Sequence, residues 1–367
     1  MIRQSLVAFI VRQFLRSRLV LVVVVLAFCF SVVSCNRKLI NREYAYVSAP
    51  QVNVRDRLAN VYNKVAVLKN GDKVEVIDRQ KRFVKVRTEA GQEGWVEQRY
   101  LAGQDVYDAM VRLTEENAGT PGQGHAVTRA ELNMRLEPGR DSKHLYQLKD
   151  GERIEVIRRA VAEKKNTHAV PVRTIPSASG GGKQQPPAEP PKLYEDWWLV
   201  RDSSKRTGWV LGRMIDIDIP LEVAQYAEGQ RIHGAYILNE VQDGDKKVPQ
   251  YLMLASEPKD GMPFDFNQIR IFTWNVKRHR YETAYRERNL FGVLPVTTGF
   301  EDFGTDGRLP YFVIRTRDAS GNVLEKKYKL NGPIVRRVLA PGEQSAADAA
   351  PQRPQPRRAA PRRRNRR

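Results

Sequence analysis

The 367-residue sequence contains very little cysteine or histidine. Its two cysteines, Cys29 and Cys35, both lie near the amino terminus, so the rest of the chain has neither a disulfide framework nor a thiol nucleophile. The five histidines lack the short spacing by which a helix presents two ligands to zinc. No serine stands in a Gly-x-Ser-x-Gly motif. The sequence therefore predicts no catalytic residue, no metal site and no cofactor.

The first 34 residues have the composition of an export signal, predicted for residues 1–34. Arg3, Arg12, Arg16 and Arg18 precede an apolar run from Leu19 to Val33, and the segment has no acidic residue. The run is shorter than the roughly 20 residues that a membrane-spanning helix prefers. We therefore expect export of the chain, followed by a polar tether at residues 35–42.

The end of the apolar run, Val32-Val33-Ser34-Cys35, resembles the lipobox of bacterial lipoproteins. The resemblance implies a signal peptide cleaved before Cys35, a lipid on the Cys35 thiol and attachment to a membrane outside the cytoplasm. Two or three acyl chains would hold the protein there stably. An uncleaved signal anchor is the alternative. Asn36 follows the cysteine in place of Asp, and by the same resemblance this favours the periplasmic face of the outer membrane over the inner membrane.

The formal net charge of +20 is concentrated at the two ends of the chain. The signal segment contributes arginines, and the tail after Ser345 has eight arginines against the single acid Asp348. Excess basic charge usually indicates nucleic acid. An exported protein instead meets anionic lipids and wall polymers, so we expect an anionic envelope polymer as partner and not nucleic acid.

One sequence pattern occurs twice with the same internal spacing. Its first half, Val52-Asn-Val-Arg55 and Leu68 to Ile77, returns 80 positions later as Leu132-Asn-Met-Arg135 and Leu148 to Ile157. Its second half returns 114 positions later, since Phe83 to Arg87 and Gly94-Trp-Val96 match Trp197 to Arg201 and Gly208-Trp-Val210. The second copy therefore carries an insertion of 34 residues, predicted at 160–193, whose prolines and glycines are typical of a disordered loop.

The order Asn-Val-Arg, a Leu-x-x-Gly hairpin, aromatic-x-x-Val-Arg and Gly-Trp-Val resembles the bacterial SH3-like domain. The resemblance covers about a third of the chain and implies two small, strongly bent barrels at residues 43–104 and 125–219. A helical linker is predicted between them at 105–124, because apolar residues from Val106 to Leu113 recur at helical spacing.

In this interpretation Gly94 and Gly208 allow a tight bend of the backbone, and Trp95 and Trp209 fill the ends of the barrels as core residues. Similar domains in wall hydrolases bind peptidoglycan peptides. By that resemblance, aromatic residues outside the core pattern are candidate ligand-binding residues, namely Tyr62, Tyr100, Tyr146, Trp197 and Trp198. Trp197 and Trp198 are adjacent in a predicted strand, so we expect one of them to be exposed.

Residues 220–340 read as strands that are apolar on both faces, which predicts a two-layer β-sandwich or a barrel. Residues 341–367 form an Ala, Pro and Arg tail, predicted to be disordered. The whole chain is predicted to be all-β. The resulting functional hypothesis is a non-enzymatic envelope lipoprotein whose tandem modules bind peptidoglycan. The alternative is an envelope scaffold that docks another protein, and a hydrolase is the third hypothesis.

Overall fold

The computed structural model describes residues 42–164 and 192–339. The predicted signal segment, Cys35, residues 165–191 of the predicted insertion and the predicted tail lie outside these residues. Strands account for 56% of the structure and helices for 11%, which confirms the all-β prediction. No helix of the described residues is both long enough and apolar enough to cross a membrane.

Seven antiparallel strands form the first sheet, in the order β3-β2-β6-β5-β4-β1-β7. Alternate residues such as Val54 in β2, Val84 in β5 and Val96 in β6 are buried in one cluster to which strands β1 to β6 all contribute. The sheet therefore curves around its own core as a small barrel. The strands are β1 (Glu43–Val47), β2 (Gln51–Arg55), β3 (Lys64–Lys69), β4 (Lys73–Gln80), β5 (Phe83–Arg87), β6 (Glu93–Glu97) and β7 (Leu101–Gly103).

The second sheet has the same topology, β10-β9-β13-β12-β11-β8-β14, with each strand seven places later in the chain. The irregularities repeat as well, since the pairing shifts between Val76 and Asp78 in β4 and between Val156 and Arg158 in β11. The repeated sequence thus forms a repeated structure. Its strands are β8 (His125–Thr128), β9 (Leu132–Arg135), β10 (His144–Leu148), β11 (Arg153–Glu163), β12 (Tyr194–Arg201), β13 (Thr207–Leu211) and β14 (Ile215–Ile217).

Helix α1 (Gln104–Asn117) connects the two barrels. Its buried residues Val106 and Met110 belong to the core cluster of the second barrel. On the other side Tyr107 stacks on Tyr46 of the first barrel, with ring centroids 4.1 Å apart. The helix therefore joins the barrels through its own packing, in addition to the covalent link.

Residues beyond the second barrel form two four-stranded antiparallel sheets, β15 to β18 and β19 to β22, each with its strands in chain order. Leu252 and Ile271 from the first sheet pack with Phe312 and Tyr328 from the second in a single buried cluster, so the two sheets form a sandwich. The strands are β15 (Arg231–Asp243), β16 (Lys246–Ser256), β17 (Gln268–Asn275), β18 (Arg280–Glu287), β19 (Gly292–Asp302), β20 (Arg308–Arg317), β21 (Val323–Asn331) and β22 (Ile334–Val338).

The outer face of the β15 to β18 sheet is also apolar, because a short helix packs on it. Val223 of the short helix α2 (Leu221–Ala224) packs there with Met253 and Phe272. Gln123 fixes both sheets of the sandwich to the second barrel, because its Oε1 accepts hydrogen bonds from the Tyr236 hydroxyl of β15 at 3.1 Å and from the Val296 amide of β19 at 2.8 Å. The sandwich is thus packed directly on the second barrel.

Candidate functional site

Strands β2, β6 and β5 of the first barrel present an outer face with two aromatic rings. Val84, Val86 and Val96 point into the core, so Phe83 and Trp95, which alternate with them, point away from it. Both rings are only partly buried. We call Arg55, Tyr62, Phe83 and Trp95 the aromatic face.

Gly94 permits this arrangement by its lack of a side chain. A Cβ at Gly94 would lie 2.5 Å from Val54 Cγ1 and 2.6 Å from the Arg55 carbonyl oxygen, closer than packed atoms allow. Strand β6 can therefore approach β2 closely, and Trp95 lies directly opposite Arg55 in the pairing. The Gly-Trp-Val spacing that the two copies share is thus explained by the close packing of strands at the glycine.

Arg55 lies between two aromatic rings on this face. Its guanidinium carbon is 4.4 Å from the centroid of Tyr62 and 5.4 Å from that of Phe83, within the range of cation–π attraction. Its Nη2 donates a hydrogen bond of 3.1 Å to Glu97 on β6. These contacts fix the orientation of the guanidinium and hold the Tyr62 ring against the barrel.

The loop that carries Tyr62 is anchored at its base by Asp56. The Asp56 carboxylate accepts hydrogen bonds from the Asn63 amide at 2.9 Å and from Arg57 Nη2 at 2.9 Å. The hydrogen bond from Arg57, followed by that from Asn63, lowers the pKa of Asp56 to about 2. The carboxylate is therefore ionised at any physiological pH.

The equivalent face of the second barrel is buried. Trp197 and Trp209 occupy the positions of Phe83 and Trp95, and they pack with Ile157, Leu199 and partly buried Leu113 of α1 in a separate apolar cluster. The same strands thus offer a partly open aromatic surface in the first copy and a packing surface in the second.

The structure corrects part of the sequence expectations about the tryptophans. Trp95 is only partly buried and lies outside the core cluster of the first barrel, where Val96 takes the core position of its strand. Trp209 is buried, but in an apolar cluster separate from the one that contains Val210.

Neither Trp197 nor Trp198 is exposed, since they are 2% and 3% accessible. Trp198 points into the core of the second barrel. Trp197 points outward but is buried in the apolar cluster that contains Leu199 and Trp209. The alternation of the strand alone does not predict that this outward face is covered.

The structure does not bring the predicted ligand-binding residues together. Tyr100 lies in a single 3-10 turn after β6, packs on the core of the first barrel and accepts a hydrogen bond of 2.6 Å from Arg99. Tyr146 is buried in the core of the second barrel, with Arg206 4.2 Å over its ring. Only Tyr62 lies on the aromatic face.

The sequence reasoning missed Arg55, Phe83 and Trp95 as surface residues. The alternation of small or aliphatic residues with aromatic ones in β5 and β6 carried the signal, because the smaller partners take the core positions.

Within residues 42–164 and 192–339 no three histidine, cysteine, aspartate or glutamate side chains are arranged to hold a metal ion. The chemistry available on the aromatic face is therefore stacking and charge recognition.

Comparison with known proteins identifies the first barrel. Residues 50–102 match the model of the bacterial SH3 domain family. No curated protein matches the chain. Among solved structures, NlpC2 of Trichomonas vaginalis is 7% identical with a TM-score of 0.16, over 68% of this chain and 97% of its own. An NlpC/P60 family protein of Bacillus cereus is 11% identical with a TM-score of 0.21, over 51% and 62% respectively.

These structural neighbours correct one expectation from the sequence. NlpC/P60 family proteins are usually cell-wall peptidases, which contradicts the hypothesis of a non-enzymatic protein. At such TM-scores, however, the likeness assigns no residue of this chain to an active site. The family match and the repeated strand order concern the barrel itself: residues 50–102, which carry the aromatic face, are a bacterial SH3 domain.

Proposed function

We propose that the protein binds cell-wall peptidoglycan through the aromatic face of its first barrel. Bacterial SH3 domains commonly bind peptidoglycan. The observation that carries the proposal is the pairing of Arg55 with the Tyr62 and Phe83 rings, partly open to solvent. Partly exposed aromatic and arginine side chains that are already held in place are typical of recognition surfaces, because little side-chain entropy is lost on binding.

Charge around the aromatic face suits an acidic ligand. Arg82 is exposed and lies 5.5 Å from the Phe83 ring, and among the described residues it has no ion pair. Peptidoglycan stem peptides carry free carboxylates, and guanidinium groups bind carboxylates strongly through paired hydrogen bonds. The rings would contact the apolar surfaces of the sugar and peptide units.

The second barrel is proposed to be a second bacterial SH3 domain with a structural role. Its strand order equals that of the first barrel. Trp197 and Trp209 are buried, however, whereas the corresponding Phe83 and Trp95 of the first barrel are partly exposed. A ligand would have to displace this packing. The second copy therefore serves as the base on which the sandwich and the first barrel are placed.

We further propose that the protein is held in the bacterial envelope by a lipid on Cys35, with its body outside the cytoplasm. The basis is the sequence of the amino-terminal segment. The substitution Cys35→Ser should abolish incorporation of labelled palmitate in growing cells. Unchanged labelling of this variant would reject the anchor.

Sedimentation of the full-length protein with purified peptidoglycan tests the proposed binding. Tyr62→Ala removes one ring from Arg55 without touching the core, and we expect the affinity to fall about tenfold, equivalent to about 1.4 kcal/mol. Wild-type protein that stays in the supernatant would refute the proposal.

Tyr44→Ala is the matched control. Tyr44 is also a partly buried tyrosine of the first barrel under a cation, since Lys73 Nζ lies 3.9 Å from its ring. It lies on β1, which pairs with β4 and β7 and not with the strands of the aromatic face. Binding should be unchanged in this variant, and equal losses in both variants would place the site elsewhere.

A further inference from the structure

Strand β3 is an open edge of the first barrel. It lies at the end of the first sheet, and no other strand of the described residues pairs with its outer side. Its sequence, Lys-Val-Ala-Val-Leu-Lys, has no proline, and Val67 is 39% exposed. Such an edge offers free backbone N–H and C=O groups to another chain. None of its residues belongs to the aromatic face.

The equivalent edge of the second barrel, strand β10, is occupied by the first barrel. The Asn70 side chain, in the turn between β3 and β4, donates to the Leu145 carbonyl at 2.8 Å and accepts from the Gln147 amide at 3.1 Å. Gln147 and Val67 hold the same position in the pairing of their strands with β9 and β2. The Val67 amide therefore points away from its sheet in the same way. The molecule itself thus shows that this edge accepts the polar side chain of a hairpin turn.

The turn between β10 and β11 is built like the turn that carries Asn70. It reads Lys-Asp-Gly-Glu where the first turn reads Lys-Asn-Gly-Asp. In both turns the lysine amide donates to the acid three residues later, at 2.9 Å for Lys149 and 2.7 Å for Lys69. The glycines have positive φ angles of 70° and 88°. Asp150 occupies the place of Asn70 and is exposed, so the second barrel presents a turn of matching shape to solvent.

Charge at the β3 edge is opposite to the charge of Asp150. Lys64 begins the strand and Lys69 ends it, and both side chains are exposed. Within residues 42–164 and 192–339 neither lysine forms an ion pair, and Asp150 forms none either. A carboxylate placed against this edge would therefore meet two cations whose charge is not already compensated.

We propose that a second molecule of this protein docks its β10–β11 turn on the β3 edge. The Asp150 carboxylate accepts a hydrogen bond from the Val67 amide, and Lys64 and Lys69 supply the opposite charge. The contact between molecules thereby repeats the contact that joins the two barrels within one molecule. Because the two surfaces differ, each molecule keeps one unoccupied edge or turn, and association continues into head-to-tail chains. Each contact is small, so the chains form reversibly.

Sedimentation equilibrium of the full-length protein at increasing concentration tests the proposal. We expect the mean mass to rise beyond that of a dimer. The edge variant Lys64→Glu/Lys69→Glu repels Asp150, and the turn variant Asp150→Lys repels the lysines, so each should weaken association about tenfold, equivalent to about 1.4 kcal/mol. A mixture of the two variants should regain association, because contacts between unlike molecules again join opposite charges.

Lys246→Glu/Lys247→Glu is the matched control. These are two exposed lysines of β16 that form no ion pair among the residues that the structure describes, and their replacement changes the net charge as the edge variant does. Association should equal that of wild type. A wild-type protein that stays monomeric, or equal association in all variants, would overturn the proposal. A mass that stops at the dimer and falls only in the edge variant would indicate pairing of two β3 edges and reject the turn.

Discussion

The Arg159 guanidinium and the Asp196 carboxylate form an ion pair of 2.7 Å whose side chains are only 3% and 2% exposed. Asp196 also accepts a hydrogen bond of 2.9 Å from the Gly261 amide, and Arg159 donates one of 2.8 Å to the Phe264 carbonyl. The pair belongs to the second barrel, and both backbone partners belong to the sandwich. It therefore fixes the relative position of the two domains.

Removal of one member of this pair should be strongly destabilising. In Asp196→Ala the buried Arg159 charge keeps only the longer contact with Asp265, 3.3 Å from its Nη1, and we expect a loss of about 3 kcal/mol in the free energy of unfolding. Urea unfolding followed by tryptophan fluorescence measures this change. Glu325→Ala is the control, because its ion pair with Arg315 is 60% and 42% exposed and should contribute no more than about 1 kcal/mol. Similar losses in the two variants would contradict the assignment.

The turn residue Asn70 should hold the two barrels together. Its Nδ2 donates to the Leu145 carbonyl at 2.8 Å, and its Oδ1 accepts from the Gln147 amide at 3.1 Å, so the side chain bonds to the backbone on both sides of Tyr146. Asn70→Ala removes both bonds, which should reduce stability by about 1–3 kcal/mol. Hydrogen exchange at the Gln147 amide should accelerate. The equivalent turn residue of the second barrel is the exposed Asp150, and exchange at Gln147 should not change in Asp150→Ala.

The sequence predicted much of the fold because its repeat contains the residues that a small barrel requires. Gly94 at the close strand approach and the glycines of the hairpin turns, such as Gly71 with φ of 88°, have local signals that need no tertiary context. Burial of Trp197 has no such signal. It depends on an apolar cluster with Leu113 of α1, and no local pattern states which outward face another element will cover.

The candidate sites were less predictable than the fold for the same reason. Phe83 and Trp95 could have been placed outside the core from strand alternation, but the contacts of Arg55 with the Tyr62 and Phe83 rings join three separate segments. The cleft between the second barrel and the sandwich, lined by Arg213 and Arg231, likewise requires the packing of one domain on the other. Reasoning from one segment at a time cannot reach such a site.

Protonation of His233 should make stability depend on pH between about 6.5 and 3. Burial, followed by repulsion from Arg159 and Arg231, lowers the pKa of His233 from 6.5 to about 3. The unfolded chain therefore takes up this proton first as the pH falls, so the contribution is complete above pH 6.5 and is lost progressively towards pH 3. We expect a lower unfolding temperature at pH 5 than at pH 7, with a smaller difference in His233→Gln. Imidazole nitrogen shifts that show a protonated ring at pH 5 would contradict this assignment.

Strand pairing at the end of the β11 and β12 hairpin makes the second barrel suitable for labelling. Glu163 and Tyr194 are paired, and the Lys164 amide donates to the Leu193 carbonyl at 2.8 Å, so the chain leaves and returns at adjacent positions. The entropy of closing a connection grows only slowly with its length. A fluorescent reporter domain whose own termini are close together could therefore replace residues 165–191 without altering the register of the barrel. Such a fusion would allow the protein to be followed in living cells with both natural ends of the chain left intact.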